Sequence, residues 1–186
     1  MNPIKSFINR FRSEEDGIVL TEIALSMPLY LILLAGIFEV GNYLILHMKV
    51  QHTVVTIADL VTRDEEISES VMSDIFQVVP HIISPYPAGA DSVTIVTAVS
   101  QTKDIPTTVF WQRKGGGTFP ATSEFGEEGD AAILPAGLTM RDNETILATE
   151  VYYKFEPLIF PFIPSTTVRR VSFFRPRIGA LQEMKP

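Results

Sequence analysis

Glu22 is the residue in this sequence whose type and position most demand a chemical explanation. It lies in an apolar run from Ile18 to Leu46 in which Glu22 and Glu39 are the only carboxylates, and Ile23 to Phe38 carries no charge. A charged side chain at the centre of a membrane helix costs about 2.5 to 3.5 kcal/mol on insertion scales, so a compensating partner is expected. A cut after Gly17 would free the amine of Ile18 and make Glu22 the fifth residue of the product. A helical terminus and its own fifth side chain are poorly placed for close contact. The pairing this predicts is therefore between the amine of one molecule and the carboxylate of its neighbour.

Other candidate chemistry is sparse. The chain has no cysteine, which removes thiolate nucleophiles, thiolate metal sites and disulfides. Of the three histidines, His47 and His52 are five apart, a spacing that does not share one helical face. Gly115, Gly116, Gly117, Gly126 and Gly129 lie between Lys114 and Pro135, but Lys114 precedes them and Phe119-Pro120 follows, which is not a phosphate-binding loop. Glu124, Glu127, Glu128 and Asp130 in the same stretch lack the alternation of a calcium loop and read as solvated surface. No serine sits in a nucleophile-elbow pattern. The expectation is a protein that is not an enzyme and needs no metal or cofactor. A net charge of −7 also argues against nucleic acid as a partner.

The elements that would position Glu22 begin with a polar leader, residues 1–17, carrying Lys5, Arg10 and Arg12, then Glu14, Glu15 and Asp16. A long helix is predicted over 18–63, membrane-spanning to about residue 46, since a bilayer core needs about 20 apolar residues as helix. Basic residues ahead of it favour a cytoplasmic N-terminus and an outward C-terminal domain. Pro28 removes one helical hydrogen bond and can kink the axis. Glu39, beside Gly41 and Asn42, reads as a solvated residue at the outer interface. Beyond the bilayer Met48, Val54, Val55, Ile57, Ala58, Leu60 and Val61 continue an apolar stripe at helical spacing, suited to packing under a head.

The head, 64–186, opens with a second helix over Asp64 to His81, with Ile67, Val71, Met72, Ile75, Phe76 and Val79 on one face. Ser92 to Ser100 alternates as a half-buried strand, and Thr107 to Arg113 is a second strand. Leu138 to Met140 and Thr145 to Phe155 suggest a hairpin about Asp142-Asn143, and Thr166 to Phe174 is a last strand. Trp111, Phe119 and Phe125 read as core. The run Tyr152, Tyr153, Phe155, Pro157, Phe160, Pro161, Phe162 and Pro164 is apolar enough to form a subunit contact. The predicted fold class is α+β: a long N-terminal membrane-spanning helix packed against a small antiparallel β-sheet head.

Gly17-Ile18-Val19-Leu20-Thr21-Glu22 resembles the class III cleavage site of type IV prepilins. Glu22-Ile23-Ala24-Leu25-Ser26-Met27-Pro28 and Gly36-Ile37-Phe38-Glu39-Val40-Gly41 are similar to the TadE/TadF-like minor pseudopilins of the tight-adherence (Flp, type IVb-like) pilus. Val151 to Leu158 and Phe174-Arg175-Pro176-Arg177 resemble the same family. Ile18 stands where other type IV pilins commonly have Phe, and Ile23 replaces an aromatic. The resemblance implies cleavage between Gly17 and Ile18, with Glu22, Pro28 and Glu39 serving subunit assembly. It further implies a prepilin peptidase, a major Flp-type pilin, a second minor pseudopilin and an inner-membrane assembly platform as partners. The protein would reside in the bacterial inner membrane with its head in the periplasm, available for incorporation in an extracellular pilus that serves adhesion.

Three alternatives stay open at this point. A secretory signal would use Ile23 to Ala35 as its apolar core, but acidic residues stand where positive charge is wanted and no small-x-small site follows. A plain single-pass anchor explains the apolar run and leaves Gly17 and Glu22 unexplained. A membrane-tethered periplasmic binding module would need no cleavage.

Overall fold

A computed structural model describes residues 16–64, 66–102, 106–177, 181 and 184–185. The charged leader positions Lys5 to Glu15 lie outside the described residues. The first element is one continuous helix, α1, Asp16–Val61, of 46 residues. At 1.5 Å per residue it is about 69 Å long, roughly twice a bilayer's hydrocarbon thickness. The chain forms two compact units: one holds α1 up to Asn42 together with Pro157–Ile163, and the other holds Tyr43–Glu156 and the chain from Pro164 onward.

In the first unit the helix shows apolar side chains all round. Ile18, Val19, Leu20, Ile23, Leu25, Leu29, Leu33 and Ile37 are all exposed, with Leu25 at 85%. Over Ile23 to Leu34 the helix is uncharged and no residue of it is buried, a surface suited to lipid. Among the described residues this is the one helix long and apolar enough to cross a membrane. Pro28 lies inside it and cannot donate to the carbonyl of Ala24, four residues back.

From Tyr43 onward α1 becomes one-sided. Leu46, Val50, Val54, Ile57, Ala58 and Val61 are fully buried, at the three- and four-residue spacing that makes a single stripe. Met48 and Val55 are exposed. Sequence reading placed both on the apolar stripe, but they project about half a turn away from Leu46 and Ile57. Helix α2, Glu69–Ile83, is capped by Ser68, whose hydroxyl accepts from the Val71 amide. It starts later than the pattern predicts because Ile67–Ser68, strand β1, pairs in parallel with β6, Met184–Lys185.

The sheet comprises β2 (Ser92–Gln101), β3 (Thr108–Gly115), β4 (Glu144–Phe155) and β5 (Thr166–Phe174), ordered β3-β2-β4-β5 and antiparallel throughout. The α+β class and the antiparallel sheet match the sequence expectation. The hairpin through Leu138 to Met140 does not form: both edges of β4 are occupied, by β2 and β5, and Leu138 to Met140 lie outside any strand.

One face of the sheet carries Val96, Ala98, Trp111 and Leu147 against Ile57 and Val61 of α1 and Met72, Ile75, Phe76 and Val79 of α2. Trp111 is core, and its indole N–H donates to the Leu181 carbonyl at 3.0 Å. The opposite face is also covered. Val93, Ile95 and Tyr152 pack against Phe119 and Ala121 from the glycine-rich loop. Strand β2 is therefore buried on both sides rather than half-buried, and the loop is held on the sheet. Gly117 makes its turn possible: φ is +148°, and a Cβ there would meet the Ser92 carbonyl oxygen at 2.1 Å.

Candidate functional site

Gly17 to Glu22 forms the first turns of α1. The Thr21 hydroxyl donates back to the carbonyls of Gly17 (3.1 Å) and Ile18 (2.8 Å), which satisfies it without water. Glu22 is exposed and has no ion pair or hydrogen bond to any described residue. A Cβ on Gly17 would meet nothing within 4 Å. Packing therefore places no demand for glycine here, although glycine inside a helix costs about 1 kcal/mol relative to alanine.

Glu39 departs from expectation. It is 0% exposed, not solvated. Its carboxyl oxygens accept from the amides of Leu158, at 3.0 and 3.2 Å, and Ile159, at 3.1 Å. The ring of Phe162 lies 3.9 Å from the position of a Cβ on Gly36, one turn before Glu39. A Cβ there would make an ordinary contact with the ring, so the ring flanks the helix without requiring the glycine, and the carboxyl holds the segment at its other end. No local pattern around Glu39 encodes this, because its partners lie about 120 residues away in sequence.

The loop-covered face of the sheet contains a polar network that sequence reading missed. Glu150 is fully buried in β4. Arg169 of β5, its diagonal neighbour, donates to Oε1 from Nε at 3.0 Å and from Nη2 at 2.7 Å. The Ser123 hydroxyl donates to Oε2 at 2.5 Å, and the Tyr152 hydroxyl lies 3.0 Å from Oε1. Arg169 also pairs with Glu124 at 2.9 Å, and its guanidinium stacks 5.7 Å from the ring centres of both Phe125 and Tyr152. The network ties the loop at Ser123 to Phe125 onto the sheet. A lone carboxylate among the buried residues of Thr145 to Tyr153 was the available signal. Such a residue is seldom fully buried unless paired.

Tyr152, Tyr153 and Phe155 are buried, which removes them from the exposed apolar run expected there; Phe160 and Phe162 remain exposed. Burial, followed by the charge of Glu150, raises Tyr152 from 10.0 to about 12. For Tyr153 burial, followed by Asp91, does the same. A folded-state pKa above the unfolded one favours the protonated phenol, so this contribution to stability is complete below pH 10 and is lost as pH rises through about 12. Absorbance titration should find two phenols ionising near pH 12 in the folded chain and near 10.0 once it is unfolded.

His47 has a side-chain partner. Arg170 Nη2 lies 2.7 Å from its Nδ1, and since arginine only donates, Nδ1 accepts and the ring proton sits on Nε2. Among the described residues no cluster of three or more His, Cys, Asp or Glu could hold a metal ion.

Among the described residues one apolar helix is long enough to cross a membrane, and with the small antiparallel sheet it makes an α+β fold with a transmembrane-type helix. Residues 17–59 match the family model described as TadE: TadE-like protein. The match begins at Gly17, runs along α1 to within two residues of its end, and is consistent with a TadE-like protein of the Tad pilus system. No curated protein and no solved structure matches the chain.

Proposed function

We propose that this chain is a minor pilin, or pseudopilin, of a tight-adherence type IV-like pilus, structural rather than enzymatic in its work. A prepilin peptidase cuts between Gly17 and Ile18, and the subunit waits in the inner membrane with its head in the periplasm. The carboxylate of Glu22 then pairs with the new amine of a neighbouring subunit during assembly or initiation. The observation that carries this reading is Glu22 itself: exposed on an apolar helix, without a partner among the described residues, and fifth after a glycine that packing does not require. In lipid its cost is relieved by pairing or neutralisation, and a neighbouring subunit's amine supplies the pairing.

The remaining parts take consistent roles. Pro28 softens the helix for transfer from bilayer to filament. The size of the sheet-bearing head suits a minor subunit rather than a single-helix major Flp-type pilin. A second minor pseudopilin and the inner-membrane assembly platform complete the set of partners, and adhesion is the output of the assembled system.

Intact-mass measurement of protein made with and without an active prepilin peptidase tests the first step. The expected product begins at Ile18 and contains 186 − 17 = 169 residues of this sequence. Retention of residues 1–17 in the presence of active peptidase would favour a membrane-tethered binding module instead. Gly17→Arg should block cleavage without unfolding the head, since the glycine touches nothing within 4 Å.

A further inference from the structure

Pro157–Ile163 reads Pro-Leu-Ile-Phe-Pro-Phe-Ile, seven residues without a polar side chain, between Glu156 and Pro164. Leu158 is 68% exposed, and Ile159, Phe160 and Phe162 are each about half exposed. Four large apolar side chains displayed by one short loop form a patch of the kind that marks an interaction surface.

We propose that this loop is a membrane wedge, seated in the outer leaflet of the bilayer beside α1 and latched there by Glu39. Three observations select lipid as the occupant. First, the loop lies beside the part of α1 that carries the charge-free run: the Phe162 ring is 3.9 Å from where a Cβ on Gly36 would sit, and Ile37 and Phe38 are themselves exposed. Second, the depth fits. The rise from Ile18 to Gly36 is about 27 Å, so Phe162 meets the helix near the outer limit of a hydrocarbon core about 30 Å thick that begins at Ile18. Third, the main chain of the loop is prepared for a place short of water. Lipid-exposed irregular backbone does not occur within the hydrocarbon core, so the seat is the interfacial layer at its outer limit, where polar groups without a protein partner still reach water. Pro157 and Pro161 have no N–H, the amides of Leu158 and Ile159 are taken by Glu39, and that of Phe162 donates to the Phe160 carbonyl at 2.7 Å, which leaves the amides of Phe160 and Ile163 to interfacial water. A carboxyl group near the outer end of a membrane helix is then the loop's anchor, and the loop in turn satisfies the carboxyl.

The wedge would hold the subunit in the membrane by apolar contact additional to the helix. It rests on α1 crossing the bilayer, and stands whether or not Gly17 is cleaved.

The chain contains no cysteine, so single labels can be placed at will. Full-length Phe160→Cys and Leu33→Cys proteins, each carrying a bimane label, are reconstituted into phosphatidylcholine vesicles. They are then exposed either to nitroxide-bearing lipids or to iodide added outside the vesicles. The expected result is that the lipid nitroxide removes most of the Phe160→Cys fluorescence while iodide leaves it nearly unchanged. Adding Glu39→Ala should reverse the order, with iodide now the stronger quencher. Free access of iodide in the Glu39-containing protein overturns the wedge. So does protection from both quenchers that vanishes as protein is diluted in lipid, which would assign the patch to a second copy of the chain. Leu33→Cys separates the two levels of failure, because loss of nitroxide quenching there sinks the membrane helix itself. Should Glu39→Ala fail to fold, judged by Trp111 emission, the Phe160→Cys measurement decides alone.

Discussion

Glu22→Ala is expected to leave cleavage after Gly17 intact and to lower the number of filaments on the cell by roughly tenfold or more. Hydrogen bonds to charged groups contribute about 1.5 to 3 kcal/mol, and each 1.4 kcal/mol is a factor of ten in an equilibrium, so losing one such contact per incorporated subunit reaches that size. The substitution also removes a carboxylate from an apolar helix, which makes the subunit more comfortable in lipid. Loss of filaments without loss of membrane-bound subunit would therefore locate the defect in assembly. Immunoblots of sheared filaments and of membranes from the same cells measure both quantities. Glu22→Gln, which keeps a neutral acceptor, should fall between the two. Normal filament numbers with Glu22→Ala would overturn the pairing.

The largest stability effect is expected at Arg169. Removing one partner of a buried ion pair leaves an uncompensated charge and costs about 3 to 5 kcal/mol. Glu150 would keep only the Ser123 and Tyr152 hydroxyls and a distant Glu124 amide at 3.4 Å. Arg169→Ala should then lower the unfolding temperature of the detergent-solubilised chain by about 6 to 12 °C at the lower end of that range, given about 2 to 4 °C per kcal/mol at this size. Replacing both residues, Glu150→Leu with Arg169→Met, should cost much less, because no charge remains to be buried. If the single and double variants melt alike, the network is ordinary packing. Because Ser123 and Glu124 belong to it, Arg169→Ala should also free the loop from the sheet, visible as faster amide exchange over 119–125.

These two effects differ in how far they could be foreseen. Glu22 could be singled out because its signal is local: one of two carboxylates in a long apolar run, five positions after a glycine, whatever the rest of the chain does. The same holds for α1, whose length and apolar character depend on consecutive residues, and for β5, whose bounds match the sequence pattern residue for residue. Periodicity also found β2, yet misjudged its surroundings. Alternation reports which side chains share a face, and a loop arriving on the second face from outside the strand leaves no mark in it.

Composition and spacing along the chain were enough to establish an apolar helix with a carboxylate near its start, a sheet-forming remainder, and the absence of cysteine chemistry. Through-space pairing decided the rest. Glu39 met amides from 119 and 120 residues away, Glu150 met an arginine on the adjoining strand, and a single aromatic run divided into Tyr152, Tyr153 and Phe155 inside and Phe160 and Phe162 outside. A side chain's type sets what a buried position would require of it, but only the folded chain determines which donors arrive to meet that requirement.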